Sequence, residues 1–314
     1  MKGCQSEICL VTLFCFYEGG MPMAFLSYLI SGLGLGSVYA IIALGYSMVY
    51  GIAKMLNFAH GDIIMAGAFA SFFAMTSAGM PLIAAAAIAM VICTLLGVTI
   101  ERLAYKPLRN ASSLSVLITA IGVSYFLQNA AQLMFGSDTK IYPTVLNGSF
   151  SLFGGQLSVS YLSIVTILTC VVIMGGLTLF INKTKTGKAM RACSEDKGAA
   201  VLMGINVNRI ISVTFAIGSG LAAVAAVLLC AAYPSVYPTL GSMPGIRAFT
   251  AAVFGGIGSI PGAFLGGLLL GVIETFAKAY ISTQLSDAIV FAVLIIVLLI
   301  RPTGLLGKKV SVKV

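Results

Sequence analysis

The chain alternates between long apolar runs and short charged segments. Asp, Glu, Lys and Arg are absent from six stretches, which are 19–53, 63–100, 110–137, 141–182, 210–246 and 248–273. A transmembrane helix needs about 20 consecutive apolar residues, whereas a barrel strand needs only about 9 to 11. A soluble core helix would need polar positions at helical spacing, and these stretches offer none. The pattern therefore predicts an all-α polytopic membrane protein.

The apolar runs divide into about eight candidate transmembrane helices. They cover residues 24–52, 57–79, 81–100, 112–135, 159–182, 209–233, 260–280 and 284–301. We expect them to form a single transmembrane domain over residues 23–309. Residues 1–22 are then an N-terminal extension, either disordered or the product of a mis-assigned start before Met23. A secretory leader is the alternative, although no A-x-A cleavage pattern follows the apolar run near the N-terminus.

Composition agrees with a membrane protein, and charge predicts its orientation. Apolar residues make up 59% of the 314 residues and charged residues 9%, against about 25% charged residues in soluble domains. The net charge of +9 would suit nucleic acid, but in membrane proteins basic loops mark the cytoplasmic side. Thirteen of the 18 Lys and Arg residues lie in 102–109, 183–209 and 301–313. We place all three clusters on the cytoplasmic side and expect no nucleic acid partner.

This orientation requires an even number of crossings between the second and third clusters. The candidate spans there number three, so the segment after the sixth span must cross the membrane or dip into it and return. Helix-interrupting residues fill that segment, namely Pro234, Pro238, Pro244 and the run GGIGSIPGAFLGG. We therefore predict a short or re-entrant helix near 246–258.

The glycines of the chain have two interpretations. Broken helices at membrane depth often line the substrate path of a transporter, which would place Gly255, Gly256 and Gly258 on such a path. Glycines at small-xxx-small spacing instead permit close helix packing. Three pairs have that spacing, namely Gly32/Gly36, Gly262/Gly266 and Gly267/Gly271. The two interpretations can apply to different glycines.

A few polar residues interrupt the apolar stretches and are candidates for a translocation path. Asn57 either caps the helix that follows or lies on the path, and the capping interpretation is favoured. Asp62 would suit the positive end of the same helix or lie on the path. His60 has neither the second ligand of a metal site nor the carboxylate chain of a proton pump. Gln128 and Asn129 either bond a neighbouring helix or line the path.

Other chemistry finds little support in the sequence. Glu274 and Lys278 are spaced for an i, i+4 ion pair, and Asp287 lies near the start of the last span. The seven cysteines form no CxxC motif and no set with metal-ligand spacing, so we expect neither a disulfide nor a metal site. No catalytic motif and no Walker A motif occur, so we expect no enzyme activity and no cofactor. If ATP drives this protein, another subunit must bind it.

Four segments carry a family resemblance. They are YAIIALGYSMVYGIAKMLNFAHGD, KTGKAMRACSEDKGAAVLMGINVNRI, AFTAAVFGGIGSIPGAFLGGLLLGVIE and IIVLLIRPTGLLGK, in this order. Together they resemble the permease subunit of branched-chain amino acid ABC importers, the LivH type, over about residues 24–308. The resemblance implies a multi-pass protein of the bacterial inner membrane. It also implies transport of leucine, isoleucine and valine.

The resemblance also implies partners and a coupling site. The partners are two ABC ATPase subunits that carry ATP and Mg, a second permease (of the LivM type or another copy), a periplasmic substrate-binding protein and the bilayer. Residues 183–208 resemble the cytoplasmic loop that docks on the ATPases. The residues expected to act there are Glu195, Asp196, Ala199, Ala200, Gly204 and Ile205. The two carboxylates would lie at the start of a short helix, and the small residues would allow its close approach.

Alternatives remain open at this stage. The loop could be only a solvated cytoplasmic segment that obeys the charge rule. Relatives with the NFAHG and GGIGSIPG segments include permeases for urea, short amides or other amino acids. A stand-alone ion-coupled carrier or channel is a rival from a different class.

Overall fold

Helices account for nearly all of the regular structure. The computed structural model describes residues 21–109, 111–144, 148–152 and 157–307. Within these residues the α-helices are α1 (Met21–Ala53), α2 (His60–Thr76), α3 (Leu82–Ile100), α4 (Ser113–Phe135), α5 (Tyr161–Lys183), α6 (Lys185–Glu195), α7 (Lys197–Leu202), α8 (Val207–Ala232), α9 (Ser242–Gly255), α10 (Ile260–Tyr280) and α11 (Ser286–Ile300). A π-helical turn, Glu101–Tyr105, continues α3. The predicted N-terminal extension lies outside the described residues except for residues 21 and 22, which belong to α1.

The predicted helical, polytopic architecture is confirmed, although the number of spans is not. Six described helices are long and apolar enough to cross a membrane, namely α1, α3, α4, α5, α8 and α10. The other two predicted spans are also helices, but α2 has 17 residues and α11 has 15. Both are shorter than the roughly 20 residues that a membrane crossing needs.

The predicted short helix is present as α9, a helix of 14 residues. It begins four residues earlier than predicted, because Pro244 lies in its first turn, where the missing N–H costs no helical hydrogen bond. It ends three residues earlier than predicted, because Gly256 adopts φ +106°, a conformation outside the helical region.

Glycines hold α1 and α10 together as an antiparallel pair. A Cβ on Gly36 would lie 2.7 Å from the Leu268 carbonyl oxygen. Further along the pair, a Cβ on Gly267 would overlap the backbone of Ala40, and one on Gly271 would overlap Gly36. Gly262 and Gly266 of α10 form the same kind of contact with α9. The three predicted small-xxx-small pairs are therefore confirmed as packing contacts.

Burial separates central helices from peripheral ones. In the most apolar 18-residue stretch of α8, 67% of the residues are buried. In the corresponding stretches of α4 and α5, 17% are buried. Helix α8 packs on α1, α2 and α3, and α1 also packs on α10. The continuous core run of α1, residues 38–44, is buried on every side. The apolar outer faces of α4 and α5 are typical of helices that contact lipid.

Two small antiparallel sheets were not predicted. Strand β1 (Lys140–Ile141) pairs with β4 (Ser235–Val236), and β2 (Ser149–Leu152) pairs with β3 (Leu157–Ser160). They belong to the loops that follow α4 and α8, at the ends of these helices remote from the basic clusters. Two of these strands have two residues and two have four, at or below the shortest alternation from which a strand is recognised in sequence.

Candidate functional site

The chain breaks sharply between α1 and α2. Lys54 adopts φ +58°, and residues 54–59 are not helical; we call them the break segment. Helix α2 then begins beside α1, about two turns before the end of that helix, because a Cβ on Gly45 would lie 2.6 Å from the Nε2 atom of His60. The rings of Tyr46 and His60 are 4.6 Å apart. At 1.5 Å per residue, the break segment returns along α1 by about 12 Å, so α2 starts in the interior.

Helix α9 also starts in the interior, directly against the start of α2. A Cβ on Gly61 would lie 2.6 Å from the Gly241 carbonyl oxygen, and one on Gly241 would overlap the Gly61 carbonyl. Neither helix has a side-chain N-cap, because the capping positions are Ala59 and Gly241. The positive dipole ends of two helices therefore meet at one place.

Three polar side chains from three helices come together at this place. The Nε2 atom of Gln128 on α4 donates to the Oδ1 atom of Asp62 on α2, at 2.8 Å. The same Nε2 atom lies 3.3 Å from the hydroxyl of Ser242 on α9. We call Asp62, Gln128 and Ser242 the Asp62 cluster. Asp62 is only 2% exposed, and its Oδ2 atom has no hydrogen-bond partner among the described residues.

The contacts in and around the Asp62 cluster test the interpretations of Gln128, Asn57 and Asn129. Gln128 makes the interhelical hydrogen bond that was one of its two interpretations. The predicted capping of a helix by Asn57 is wrong, because its Oδ1 atom accepts a hydrogen bond from the Tyr105 hydroxyl at 2.8 Å and α2 begins only at His60. Asn129 stays apart from the cluster: it is exposed, and its Nδ2 atom donates to the Tyr125 carbonyl of its own helix.

The glycines proposed for the path lie at the opposite end of α9 from the cluster. Gly255 packs against the backbone of Gly262, and Gly256 packs against Gly307. Gly258 adopts φ +92° beside Gly51. Each of these glycines thus has a packing or backbone role where the structure places it.

The second candidate site is the coupling segment, residues 183–208. Thr184 caps α6 by accepting from the Gly187 amide at 3.0 Å. Asp196 caps α7 by accepting from the Gly198 amide at 2.7 Å and the Ala199 amide at 3.0 Å. The carboxylate expected at the start of the short helix is thus Asp196 alone. Glu195 is instead the last residue of α6, because the chain turns at Asp196 (φ −151°).

Helix α7 ends in a glycine turn that exposes apolar side chains. Gly204 adopts φ +78°, its amide donates to Val201, and the Ile205 amide donates to Ala200, which is the Schellman pattern. The turn projects three side chains outward, with exposed fractions of 59% for Val201, 89% for Leu202 and 81% for Met203. Ala200 is only 3% exposed, so it supports α7 from the inside. These exposed residues were missed, although their apolar run inside a basic loop was a usable signal.

Lys197 connects α7 to the transmembrane helices. Its Nζ atom donates to the carbonyl oxygen of Ala53, the last residue of α1, at 2.7 Å. Burial lowers the pKa of the Lys197 ammonium, and the positive charges of Arg109 and Lys54 lower it further. In the sequence Lys197 is only one member of a basic cluster, so its contact was not predicted.

A buried carboxylate connects the π-helical turn to α8 at the same end of the molecule. Glu101 is fully buried and forms an ion pair with Arg109. Its second oxygen accepts from the Ser212 hydroxyl at 2.6 Å. Arg109 also donates to Asn208. The first and second basic clusters therefore lie together.

A third polar group surrounds Arg247 on α9. Arg247 pairs with Glu274 at 3.0 Å and with Asp287 at 2.5 Å, and it donates to the Tyr39 hydroxyl at 3.0 Å. The predicted pair of Glu274 with Lys278 is confirmed at 2.6 Å, within a larger network than expected. An isolated arginine between two long uncharged stretches was the signal that could have identified Arg247.

The described residues offer no metal site, because no group of three or more His, Cys, Asp or Glu side chains is placed to hold an ion. The four cysteines described, Cys93, Cys170, Cys193 and Cys230, are free and buried.

Comparisons with known proteins match the chain over most of its length. A family model described as "Branched-chain amino acid transport system / permease component" matches residues 28–298. The high-affinity branched-chain amino acid transport system permease protein BraD of Pseudomonas aeruginosa is 49% identical, covering 90% of this chain and 96% of that protein. The corresponding permease LivH of Escherichia coli is 46% identical over the same shares. The more distant autoinducer 2 import system permease LsrD of Salmonella paratyphi B is 29% identical, covering 72% of this chain and 69% of that protein.

Proposed function

The chain belongs to the branched-chain amino acid transport permease family, and from this premise we propose that it forms half of the membrane pathway of an importer for leucine, isoleucine and valine. One observation carries the proposal: two permeases named for this transport are 46% and 49% identical to the chain over 90% of its length. It is a multi-pass protein of the inner membrane. Its own contribution is transport rather than catalysis.

The proposed complex supplies what the chain lacks. Two ABC ATPase subunits bind ATP and Mg on the cytoplasmic side, and a periplasmic binding protein delivers the substrate. A second permease, of the LivM type or another copy of this chain, forms the other half of the pathway. In support, the first two basic clusters meet at one end of the molecule, which gives the ATPases a single face to contact.

The ATPases are proposed to contact α7 through its apolar tip. Leu202 and Met203 are highly exposed in a segment outside the long apolar helices, where water would otherwise surround them. Exposed apolar groups of this kind mark protein contacts. The Asp196 cap and the Gly204 turn hold the tip in a fixed shape. The coupling residues Ala199 and Gly204 border the same surface, whereas Ala200 and Ile205 support it from behind.

The translocation path is proposed to pass the Asp62 cluster. An amino acid carries an ammonium and a carboxylate, and both need partners when water is removed. Asp62 offers a carboxylate oxygen without a hydrogen-bond partner among the described residues, and the two helix starts offer the positive ends of their dipoles. Asn57 and His60 border this place from the break segment side, and each has one nitrogen without a partner in the described part of the chain.

The choice of substrate within the family is the finer part of the proposal. Permeases for urea, short amides or other amino acids are the alternative, and the relative named for autoinducer 2 import indicates that a similar chain serves a different substrate. Nothing in the described structure favours a stand-alone carrier.

Reconstitution tests the proposal. The complex of both permeases and two ATPases is placed in proteoliposomes with the binding protein, and uptake of labelled leucine is compared with uptake of labelled urea. We expect leucine uptake that requires ATP and disappears when the ATPases are inactivated. Leucine uptake that persists without ATPases would establish a stand-alone carrier, and uptake of urea alone would establish the alternative substrate.

A further inference from the structure

The coupling segment contacts α1 through packing of α6 and through the partly exposed ammonium of Lys197. Lys197 is the first residue of α7, and the carbonyl that it bonds, that of Ala53, is 144 residues away in sequence. A helix C-terminus carries unpaired carbonyl oxygens and the negative end of the dipole, so a lysine is well suited to bind it. A charge-assisted hydrogen bond of this type is also stronger than a neutral one.

The Ala53 carbonyl, which accepts from Lys197, lies next to the break segment. A displacement of this carbonyl can therefore displace the break segment. Ala53 immediately precedes the break segment, and Lys54, with its positive φ, begins it. The far part of the segment is held by the Tyr105 bond to Asn57 and by packing of the Phe58 ring on Phe249 of α9, at 5.4 Å. The segment then leads into the first turn of α2, which carries Asp62.

We propose that Lys197 is the residue through which movement of α7 displaces the break segment and so changes the Asp62 cluster. It is a positioning residue: it touches neither substrate nor nucleotide. The inference rests on the proposed function, because it assigns the route by which ATPase movement reaches the path. The route runs from α7 through Lys197 and Ala53 to the break segment, and from there to the starts of α2 and α9.

Lys197→Met tests this route, since methionine keeps the unbranched side chain and removes the charge and the donor. In the full reconstituted complex we expect normal assembly and basal ATP hydrolysis. We expect leucine transported per ATP to fall about tenfold, a factor within the range that loss of one hydrogen bond to a charged group produces. Lys197→Arg should restore most of the ratio, because the guanidinium also donates to a carbonyl.

A matched control and a second variant make the test specific. Lys188→Met removes an exposed lysine from the neighbouring helix α6 and should leave the ratio unchanged. Tyr105→Phe removes only the hydroxyl that holds the other end of the break segment, and we expect a smaller loss of the same ratio.

Three results would overturn the inference. They are an unchanged ratio in Lys197→Met, an equal loss in Lys188→Met, and failure of Lys197→Met to assemble while Lys197→Arg assembles, which would indicate a folding role only. The wild-type complex distinguishes this from failure of the proposed function. If leucine uptake by the wild-type complex requires the ATPases, the proposed function is supported even when the Lys197 variants contradict the inference.

Discussion

Single buried carboxylates decide which parts of this chain are held together. Asp62, Glu101 and Glu274 are each 2% exposed or less, and an ionised group at membrane depth costs at least about 2.5 kcal/mol. Each is bonded by at least one donor from another helix: Gln128 for Asp62, Ser212 for Glu101 and Arg247 for Glu274. Arg109 and Lys278 add donors that are closer in sequence. Polar side chains therefore specify contacts that lipid-like packing alone would leave undetermined.

The charge of Asp62 is expected to be required for transport. In Asp62→Asn the side-chain oxygen can still accept from Gln128, so the fold should remain while the negative charge is lost. We expect leucine uptake to fall about tenfold or more, in line with loss of about 1.4 kcal/mol or more of binding to a charged substrate group. Asn129→Ala, on the exposed side of α4, is the control and should transport normally. Uptake by Asp62→Asn within twofold of wild type would exclude Asp62 from the path.

Arg247 is expected to matter for stability. Arg247→Met leaves Glu274 with only Lys278 and removes the ion pair of Asp287, and loss of a hydrogen bond to a charged group costs about 1.5–3 kcal/mol. The measurement is thermal unfolding of the purified chain in detergent. Lys278→Met is the control, because that side chain is more exposed than Arg247 (32% against 17%) and Glu274 keeps its arginine. Equal unfolding temperatures for both variants would contradict this assignment.

At the scale of elements, the short helices α2 and α9 depend on each other. Each is too short to cross a membrane alone, and each begins in the interior at the contact of Gly61 with Gly241. Irregular backbone at membrane depth is tolerated only inside protein or beside water. Each helix therefore provides part of the enclosure that the start of the other requires.

The glycine contact between these helices is expected to tolerate no side chain. In Gly241→Ala the new methyl group would overlap the Gly61 carbonyl, and backbone cannot move aside as a flexible side chain can. We expect a loss of folded protein and of uptake. Gly175→Ala is the matched control, because its Cβ has open space and alanine favours a helix over glycine by about 1 kcal/mol. Size-exclusion profiles in detergent compare the two, and a normal profile for Gly241→Ala would contradict the close contact.

The tip of α7 is expected to bind the ATPase subunits. Leu202→Glu places a charge where the proposal requires an apolar contact, so copurification of the ATPases should fall while membrane insertion stays normal. Lys188→Glu introduces the same side chain on the neighbouring exposed helix and should copurify as wild type does. Full copurification of Leu202→Glu would place the docking surface elsewhere.

At the scale of the whole molecule, one end carries the first two basic clusters and the described start of the third, at Arg301. Arg109 contacts Asn208, Lys197 contacts Ala53, and the chain after Arg301 returns to α9 through the Leu305 and Leu306 amides. The small sheets follow the opposite ends of α4 and α8. Basic residues mark the cytoplasmic side, so the sheets are expected outside.

Cysteine labelling checks this orientation. With Cys4, Cys9 and Cys15 replaced by serine, Ser137→Cys near the sheets should react with a membrane-impermeant maleimide in intact cells. Lys185→Cys in the coupling segment should react only after permeabilisation. Both substituted positions are exposed, so a reversed result would invert the orientation.

Features that depend on residues close together in sequence were predicted, whereas features that depend on residues far apart in sequence were missed. The apolar runs located every long helix, and the spacing of Gly267 and Gly271 identified a packing surface, because both signals lie within one helix. The interior start of α2 was missed, because it depends on residues of α1 and α9 far away in sequence. The contacts of Lys197 and Arg247 were missed for the same reason.

The glycine contacts between α1 and α10 also indicate which helices keep a fixed position relative to each other. Backbone against backbone leaves no flexible atoms between the two helices, so sliding one along the other would drive main chain into main chain. We therefore expect the pair to move as one rigid body. In the proposed importer, opening and closing of the pathway would then come from rotation beside the pair, at Lys54 and at Gly256, where the backbone leaves the helical region, and from α4 and α5, the least buried of the long helices.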